Sequence, residues 1–306
     1  MSRPEPGEVD RAARILVSHG NRGVAELANG DEAEVHYRRG VGRPVCGDWV
    51  SLEDLDQTAP AVARIDDRRN VFARADARQQ RQIIAANLDY VLIIIAPRPA
   101  PSRDLLERYL VAVHSLNIDP VIVVNKVELL ASEPPAQDGP MSRLEEYADL
   151  GYKVVKTSCK GSPGVSELAE LLAQRTSILV GQSGVGKSSL INHLVPDLEI
   201  QTSALSHATG KGRHTTTSTI LYCLPHQSGK DGHLIDSPGV WEYGLWELQP
   251  RELESGFIEF RPYLGQCRFN DCAHDSEPGC AIKAAVDAGA VRNWRHASYK
   301  RLLAQQ

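Results

Sequence analysis

One stretch, Gly181-Gln182-Ser183-Gly184-Val185-Gly186-Lys187-Ser188-Ser189, limits what this chain can fold into more than any other. It fits the pattern G-x-x-x-x-G-K-[ST] at every fixed position. It follows an apolar run, Ser177-Ile178-Leu179-Val180, that reads as a buried strand, and it opens a helical segment from Ser188 to Leu194. The glycines let successive backbone N–H groups turn inward round a phosphate chain, and the helix N-terminus adds partial positive charge. In such a loop Lys187 reaches the β- and γ-phosphates, and the Ser188 hydroxyl holds Mg²⁺. Strand, loop and helix in that order place the chain among α/β proteins and imply a nucleoside triphosphate ligand.

The 306 residues leave room for two or three domains. The formal charge of −5 gives no global basic field, so a nucleic-acid partner has to be met by local patches. No run of about 18 apolar residues spans a membrane. The opening Met1–Gly7 lacks the apolar core of a signal peptide, so the expectation is a cytoplasmic protein with no membrane partner. Of six cysteines, Cys46, Cys159 and Cys223 are scattered, whereas Cys267, Cys272 and Cys280 cluster round His274 as C-x4-C-x-H-x5-C. In a reducing compartment such a cluster suggests metal before disulfide, and a closed Cys₃His set is a structural zinc site rather than a catalytic one. The spacing departs from the common C-x2-C knuckles. His193, His207 and His233 read as packing or surface residues.

Between Arg14 and Arg74 short alternating runs are broken by turn residues. Arg14–Ser18 and Gly23–Leu27 flank His19-Gly20-Asn21-Arg22, a hairpin signal. With Glu34–Arg38, Pro44–Leu52 and Ala61–Ile65 they make about five strands with glycine corners, which suits a small OB-fold barrel. OB-folds often bind single-stranded or irregular RNA through basic and aromatic side chains. Residues 1–80 hold twelve arginines against fourteen acids, so composition leaves a plain solvated barrel equally open. Tyr37, Trp49 and Phe72 fit either a binding face or a core.

Tyr90–Ile95 is a continuous apolar run, as in a parallel strand buried on both faces. A helix is expected from about Arg103 to Leu116, and Pro120–Val124 makes the next strand. That strand ends in Asn125-Lys126-Val127-Glu128, which resembles the guanine-reading N-K-x-D element of GTPases. Guanine presents two donors that a carboxylate accepts together and adenine does not, so Glu128 selects between them with one methylene more reach than Asp. One strand later, Ser158-Cys159-Lys160 resembles the S-A-K loop that backs the guanine. Beyond the phosphate loop, Gly210–Thr217 is polar and glycine-rich. A threonine there, Thr215 or Thr216, would complete the magnesium shell as switch I does in GTPases, and Thr216 is the expected ligand. Gly232–Ile235 is a strand ending in Asp236-Ser237-Pro238-Gly239, which fits D-x-x-G. Asp236 would hold magnesium through water, and the Gly239 N–H would sense the γ-phosphate.

The order of these elements is itself informative. GTPases ordinarily run phosphate loop, switch I, D-x-x-G, N-K-x-D, S-A-K; here the last two come first and the cycle is otherwise intact. A circular permutation can keep a fold whose termini lie close together. With Gly47-Asp48-Trp49-Val50, Arg68-Arg69-Asn70, Asn87-Leu88-Asp89 and Gly210-Lys211-Gly212-Arg213-His214-Thr215-Thr216, the chain closely resembles the ribosome-small-subunit-dependent circularly permuted GTPases, the RsgA or YjeQ family, along nearly its whole length.

The resemblance implies a multidomain α/β protein. Its expected parts are an N-terminal OB-fold β-barrel (1–80), a central circularly permuted P-loop GTPase domain (81–248) and a C-terminal helical zinc-binding domain (249–306). It implies a monomer that binds GTP and GDP, contacts the 30S subunit and its 16S rRNA, and acts in late maturation with hydrolysis stimulated by that subunit. The residues around the Cys₃His set match the family and strengthen zinc. The residue after D-x-x-G is Val240, which cannot polarise water where many GTPases place Gln, so isolated hydrolysis should be slow. His214 is the nearest candidate to position the nucleophile, a role the family also suggests; an rRNA or folding role is its alternative. Arg292, Arg295, His296, Lys300 and Arg301 make the C-terminal end basic, either a patch for rRNA phosphates or a solvated helix face. Two rival readings are a nucleotide-gated rRNA-binding protein in which hydrolysis only resets the switch, and an ATP-using P-loop enzyme.

Overall fold

A computed structural model describes residues 11–55, 59–75, 81–161, 164–195, 198, 219–226, 229, 231–237 and 249–305. The first five strands are β1 (Ala12–His19), β2 (Arg22–Leu27), β3 (Glu32–Tyr37), β4 (Trp49–Glu53) and β5 (Ala61–Ile65). They run in the order β1-β2-β3-β5-β4 and close through β1–β4 pairing, with β3 and β5 parallel and the other neighbours antiparallel. This is the expected OB-like barrel. The β1–β2 turn forms at Gly20-Asn21, where His19 pairs with Arg22. Ala13, Ile15, Ala25, Val35, Val50, Leu52 and Val62 fill the interior. Phe72 is part of a core, whereas Trp49 stays 45% exposed with the Arg14 guanidinium 5.2 Å from its ring centre.

β1 does not alternate: Ala13 to Val17 are all buried. Its inward residues fill the barrel, while Leu16 and Val17 join the core of the next layer beside Val91 and Ile93. A strand packed on both faces is apolar at most positions, and the one charge in this run, Arg14, is buried with Nη2 donating to Thr176 Oγ1 at 2.5 Å. β6 (Val71–Ala75) and β7 (Arg81–Ala86) form an antiparallel hairpin that straddles position 80, a feature the sequence reading lacked.

The central sheet contains β8 (Tyr90–Ile95), β9 (Asp119–Val124), β10 (Lys153–Lys156), β11 (Thr176–Val180), β12 (Ile220–Leu224) and β13 (Gly232–Asp236). Its order is β10-β9-β8-β11-β13-β12, parallel except for β12, and β12 meets β1 of the barrel at Val17–Ile220. The apolar run of β8 divides between two cores. Val91, Ile93 and Ile95 pack with Leu106, Tyr109, Leu110 and Val113 of α1 (Leu105–Ser115). Leu92 and Ile94 pack with Leu168 and Leu172 of α3 (Val165–Leu172) and with Leu190, Ile191 and Leu194 of α4 (Lys187–Leu194). Each such leucine or isoleucine contributes about 1.5–3 kcal/mol by leaving water. Between β9 and β10 a 3-10 turn, Pro140–Arg143, runs into α2 (Leu144–Asp149).

The C-terminal part holds α5 (Pro250–Gly256), a 3-10 segment Ile258–Tyr263, α6 (Ala281–Asp287) and α7 (Asn293–Leu303). Leu253, Phe257, Phe260, Ile282, Val291, Tyr299 and Leu302 form its core, which also takes in Val111 of α1. α5 comes so near α1 that a Cβ on Gly256 would stand 2.5 Å from Val111 Cγ1, so only glycine fits there.

The basic end is not a free patch. Arg295 has no exposed surface: Nε donates to Glu259 Oε1 at 2.5 Å, Nη1 donates to Glu107 Oε2, and Phe257 lies 4.4 Å below its guanidinium. The Tyr147 hydroxyl donates to the other oxygen of Glu107. Arg301 pairs with Asp104, Lys300 with Asp275 at 3.0 Å, and His296 contacts the His274 carbonyl at 2.6 Å. A buried guanidinium keeps its charge only if carboxylates surround it, and here one comes from α1 and one from the 3-10 segment of the C-terminal part.

Candidate functional site

The parallel sheet brings the sequence elements together at the carboxyl ends of its strands, where α/β proteins bind ligands. β11 ends at Val180, the glycine-rich loop follows, and α4 starts at Lys187. Gly186 has φ 96°, and a Cβ on it would stand 2.4 Å from Asn125 Nδ2. That close approach is used. Asn125, buried at the end of β9, donates from Nδ2 to the Val185 carbonyl at 2.9 Å, and Thr157 Oγ1 donates to Asn125 Oδ1 at 3.2 Å. Lys126 stands in the left-handed region at φ 58° and donates to the carbonyls of Gly184 and, at 2.9 Å, Arg98. For a non-glycine residue that backbone state costs roughly 1–2 kcal/mol, offset here by two hydrogen bonds.

Glu128 lies in a short 3-10 turn, Val127–Leu129, and its Oε2 accepts from Ser158 Oγ at 2.6 Å. The same oxygen of Ser158 accepts from the Lys160 N–H at 3.1 Å. The extra methylene of Glu128 is therefore held rather than free. Burial and the nearby Glu128 carboxylate push the Cys159 thiol up, so it packs as a neutral group.

Lys187 Nζ donates to the carbonyls of Gly181 at 2.7 Å and Gln182 at 2.9 Å. Asp236 ends β13; burial raises its pKa and the Lys187 ammonium opposes the rise. Val185 is buried beneath the loop, whereas Ser183, Gly184, Ser188 and Ser189 face solvent, the last two on the first turn of α4. Thr219 Oγ1 and Ser237 Oγ lie 3.0 Å apart, joining the strands that lead out of the switch I stretch and into D-x-x-G. His214, Thr215, Thr216 and Gly239 lie outside the described residues.

The four expected metal ligands also converge. The donor atoms of Cys267, Cys272, His274 and Cys280 all lie within 4.8 Å of one another, three of the residues buried. His274 turns Nδ1 toward Cys280 Sγ at 3.3 Å and Nε2 toward Glu254 Oε2 at 3.4 Å. A carboxylate behind a ligating imidazole fixes its orientation and raises its basicity. Backbone N–H groups of Lys283 and Ala281 each point at a cysteine sulfur at 3.4 Å, the contact a thiolate accepts. Three soft sulfurs and one imidazole fit tetrahedral zinc. Glu254 carried no sequence signal, since it sits on α5 with a 3-10 segment between it and the cluster.

A glycine-rich G-x-x-x-x-G-K-S loop, an N-K-V-E turn and a D-x-x-G strand at one end of the parallel strands, in this chain order, mark a circularly permuted P-loop GTPase. A family model described as RsgA GTPase matches residues 65–246. The small ribosomal subunit biogenesis GTPase RsgA of Chromohalobacter salexigens is 43% identical over 281 residues, 91% of this chain and 81% of that protein. The crystal structure of YjeQ from Thermotoga maritima superposes with a TM-score of 0.75 at 28% identity, covering 96% of this chain and 98% of that one. YloQ, described as a circularly permuted GTPase, gives a TM-score of 0.72 at 25% identity, covering 99% and 97%. The chain belongs to the RsgA GTPase family.

Proposed function

We propose that this chain is a GTP hydrolase of ribosome assembly. It binds the 30S subunit through 16S rRNA, acts in late maturation, and converts GTP to GDP and phosphate faster when the subunit is present. The names of its relatives support the assembly role. The nucleotide choice is carried by one observation, the Glu128 carboxylate held by Ser158 beside Asn125 and Lys126, both of which brace the phosphate loop. A carboxylate so fixed accepts both donors of guanine and faces an acceptor in adenine.

The nucleotide ligands in this reading are Asn125, Lys126, Glu128, Ser158–Lys160, Gly181–Ser189, Thr215, Thr216, Asp236 and Gly239. Ser188, Thr216 and Asp236 would hold Mg²⁺, which supplies charge neutralisation at the phosphates when bound. Lys187 adds its fixed ammonium at the β- and γ-phosphates. With Val240 after D-x-x-G, His214 is the residue proposed to orient the attacking water. Zn²⁺ would be held by Cys267, Cys272, His274 and Cys280 as a structural ion. The working division remains 1–80, 81–248 and 249–306, in a cytoplasmic monomer.

GTP and ATP turnover, each with and without purified 30S subunits, tests the reading. Stimulation confined to GTP is expected; no stimulation, or equal use of ATP, would overturn it. Replacing His214 with Ala should cut stimulated turnover about 10²-fold or more with GTP affinity retained. Lost 30S binding with intrinsic turnover intact would instead assign His214 to rRNA.

A further inference from the structure

The C-terminal helix grips the stretch of chain that supports Lys126. α1 begins directly after Asp104, and Arg301 of α7 holds that carboxylate with two nitrogens: Nε donates to Oδ1 at 2.9 Å and Nη2 donates to Oδ1 at 2.8 Å. Nη2 also donates to Ser298 Oγ at 2.8 Å, which fixes the guanidinium on its own helix. One turn further along α1, Arg295 holds Glu107. Upstream of Asp104 the chain returns within a few residues to the nucleotide site. There the Arg98 carbonyl accepts from Lys126 Nζ at 2.9 Å, and Pro99 Cδ lies 3.6 Å from where a Cβ on Gly184 would stand.

The connection between these two points is Pro99-Ala100-Pro101-Ser102-Arg103. Two prolines fix two of its φ angles, and the Leu105 N–H donates to the Ser102 carbonyl at 3.2 Å. So short and restricted a segment transmits a shift at Asp104 instead of absorbing it. Lys126 has three donors and uses two of them, one on each carbonyl; moving the Arg98 carbonyl leaves it with one hydrogen bond and with more rotamer freedom.

We infer that Arg301 and Asp104 are positioning residues for Lys126, so that seating of the C-terminal domain on α1 sets how long nucleotide stays bound. The inference rests on reading Lys126 as the residue that stacks over guanine. Coupling of this kind is reciprocal: bound nucleotide seats the C-terminal domain more firmly. The route is separate from the direct chain connection between D-x-x-G and α5.

The experiment is release of fluorescently labelled GDP from the full, zinc-loaded protein, with thermal midpoints recorded for each variant. Asp104→Asn and Arg301→Gln should each speed release about five- to tenfold. The double variant should be no faster than the faster single one, because the two side chains act as a unit. Unchanged release with a lowered midpoint marks a merely structural pair and overturns the inference. So does a double variant whose effect is the product of the two singles. Labelled ADP that binds as well as labelled GDP would fell the guanine reading of Lys126 and Glu128, an outcome distinct from the other two.

Discussion

The barrel and the C-terminal domain attach to the GTPase sheet by different physics. The barrel joins mainly through strand continuity and apolar surface, with one buried guanidinium, Arg14, donating to Thr176 Oγ1: β1 meets β12 at Val17–Ile220, Leu16 and Val17 sit in the sheet's core, and the Cys46 thiol donates to the Thr219 carbonyl at 3.1 Å. The C-terminal domain joins through the packing of α5 on Val111 of α1 and through charges, Arg295 buried between Glu107 and Glu259 and the part-exposed Arg301 on Asp104. Apolar contacts tolerate small shifts because they have no preferred direction. Buried ion pairs do not, since a partner lost leaves a charge without solvent. The first junction makes the barrel part of the sheet; the second gives the C-terminal domain one defined seat.

Removing zinc with a chelator should have the largest effect on this contrast. Structural zinc supplies on the order of 10 kcal/mol in small domains, so the C-terminal core should lose hydrogen-exchange protection while β1–β5 keep theirs. Equal loss in both regions would show that they are one cooperative unit. Next, Glu107→Ala should cost about 2–4 kcal/mol in urea unfolding, because it leaves the buried Arg295 with Glu259 alone and the Tyr147 hydroxyl without its acceptor. Replacing Glu107, Arg295 and Glu259 together with apolar residues of similar volume should recover most of that loss. Leu16→Ala, at the apolar junction, should cost about 2–5 kcal/mol with no sensitivity to salt.

The smallest effect concerns pH. His114 of α1 lies against Tyr152, and burial, helped by Arg261, lowers its pKa to about 4. The folded protein then binds fewer protons than the unfolded chain, so stability is full above about 6.5 and declines as pH falls toward 4. His114→Gln should flatten that decline by roughly 1–2 kcal/mol, read as unfolding midpoints at pH 5 and pH 7. An unchanged pH profile would remove His114 from the acid response.

The elements that meet at the carboxyl ends of the strands were legible because each is a local pattern tied to a strand end: Gly181–Ser189, Asn125–Glu128 and Asp236 needed only their neighbours to be read. The Cys₃His set was legible by spacing. The charges of α7 were not. Arg295 and Glu107 are 188 positions apart and Arg301 and Asp104 are 197 apart, and on a helical wheel such residues look like a solvated face. Composition could not separate Phe72, fully buried, from Trp49, nearly half exposed, since both are single aromatics in short strands. The β6–β7 hairpin escaped because Arg74–Arg81 carries arginine and glutamine where alternation is usually read.

The double-sided burial of β1 has a consequence for the chain while it is being made. Translation delivers Leu16, Val17 and Val24 early, but β12, which lies beside β1, is encoded about 200 residues later. The barrel strands are complete at Ile65, so at about 5–20 residues per second the nascent barrel waits roughly 8–30 s with one flank uncovered. During that interval the flank is open to any other unpaired strand nearby.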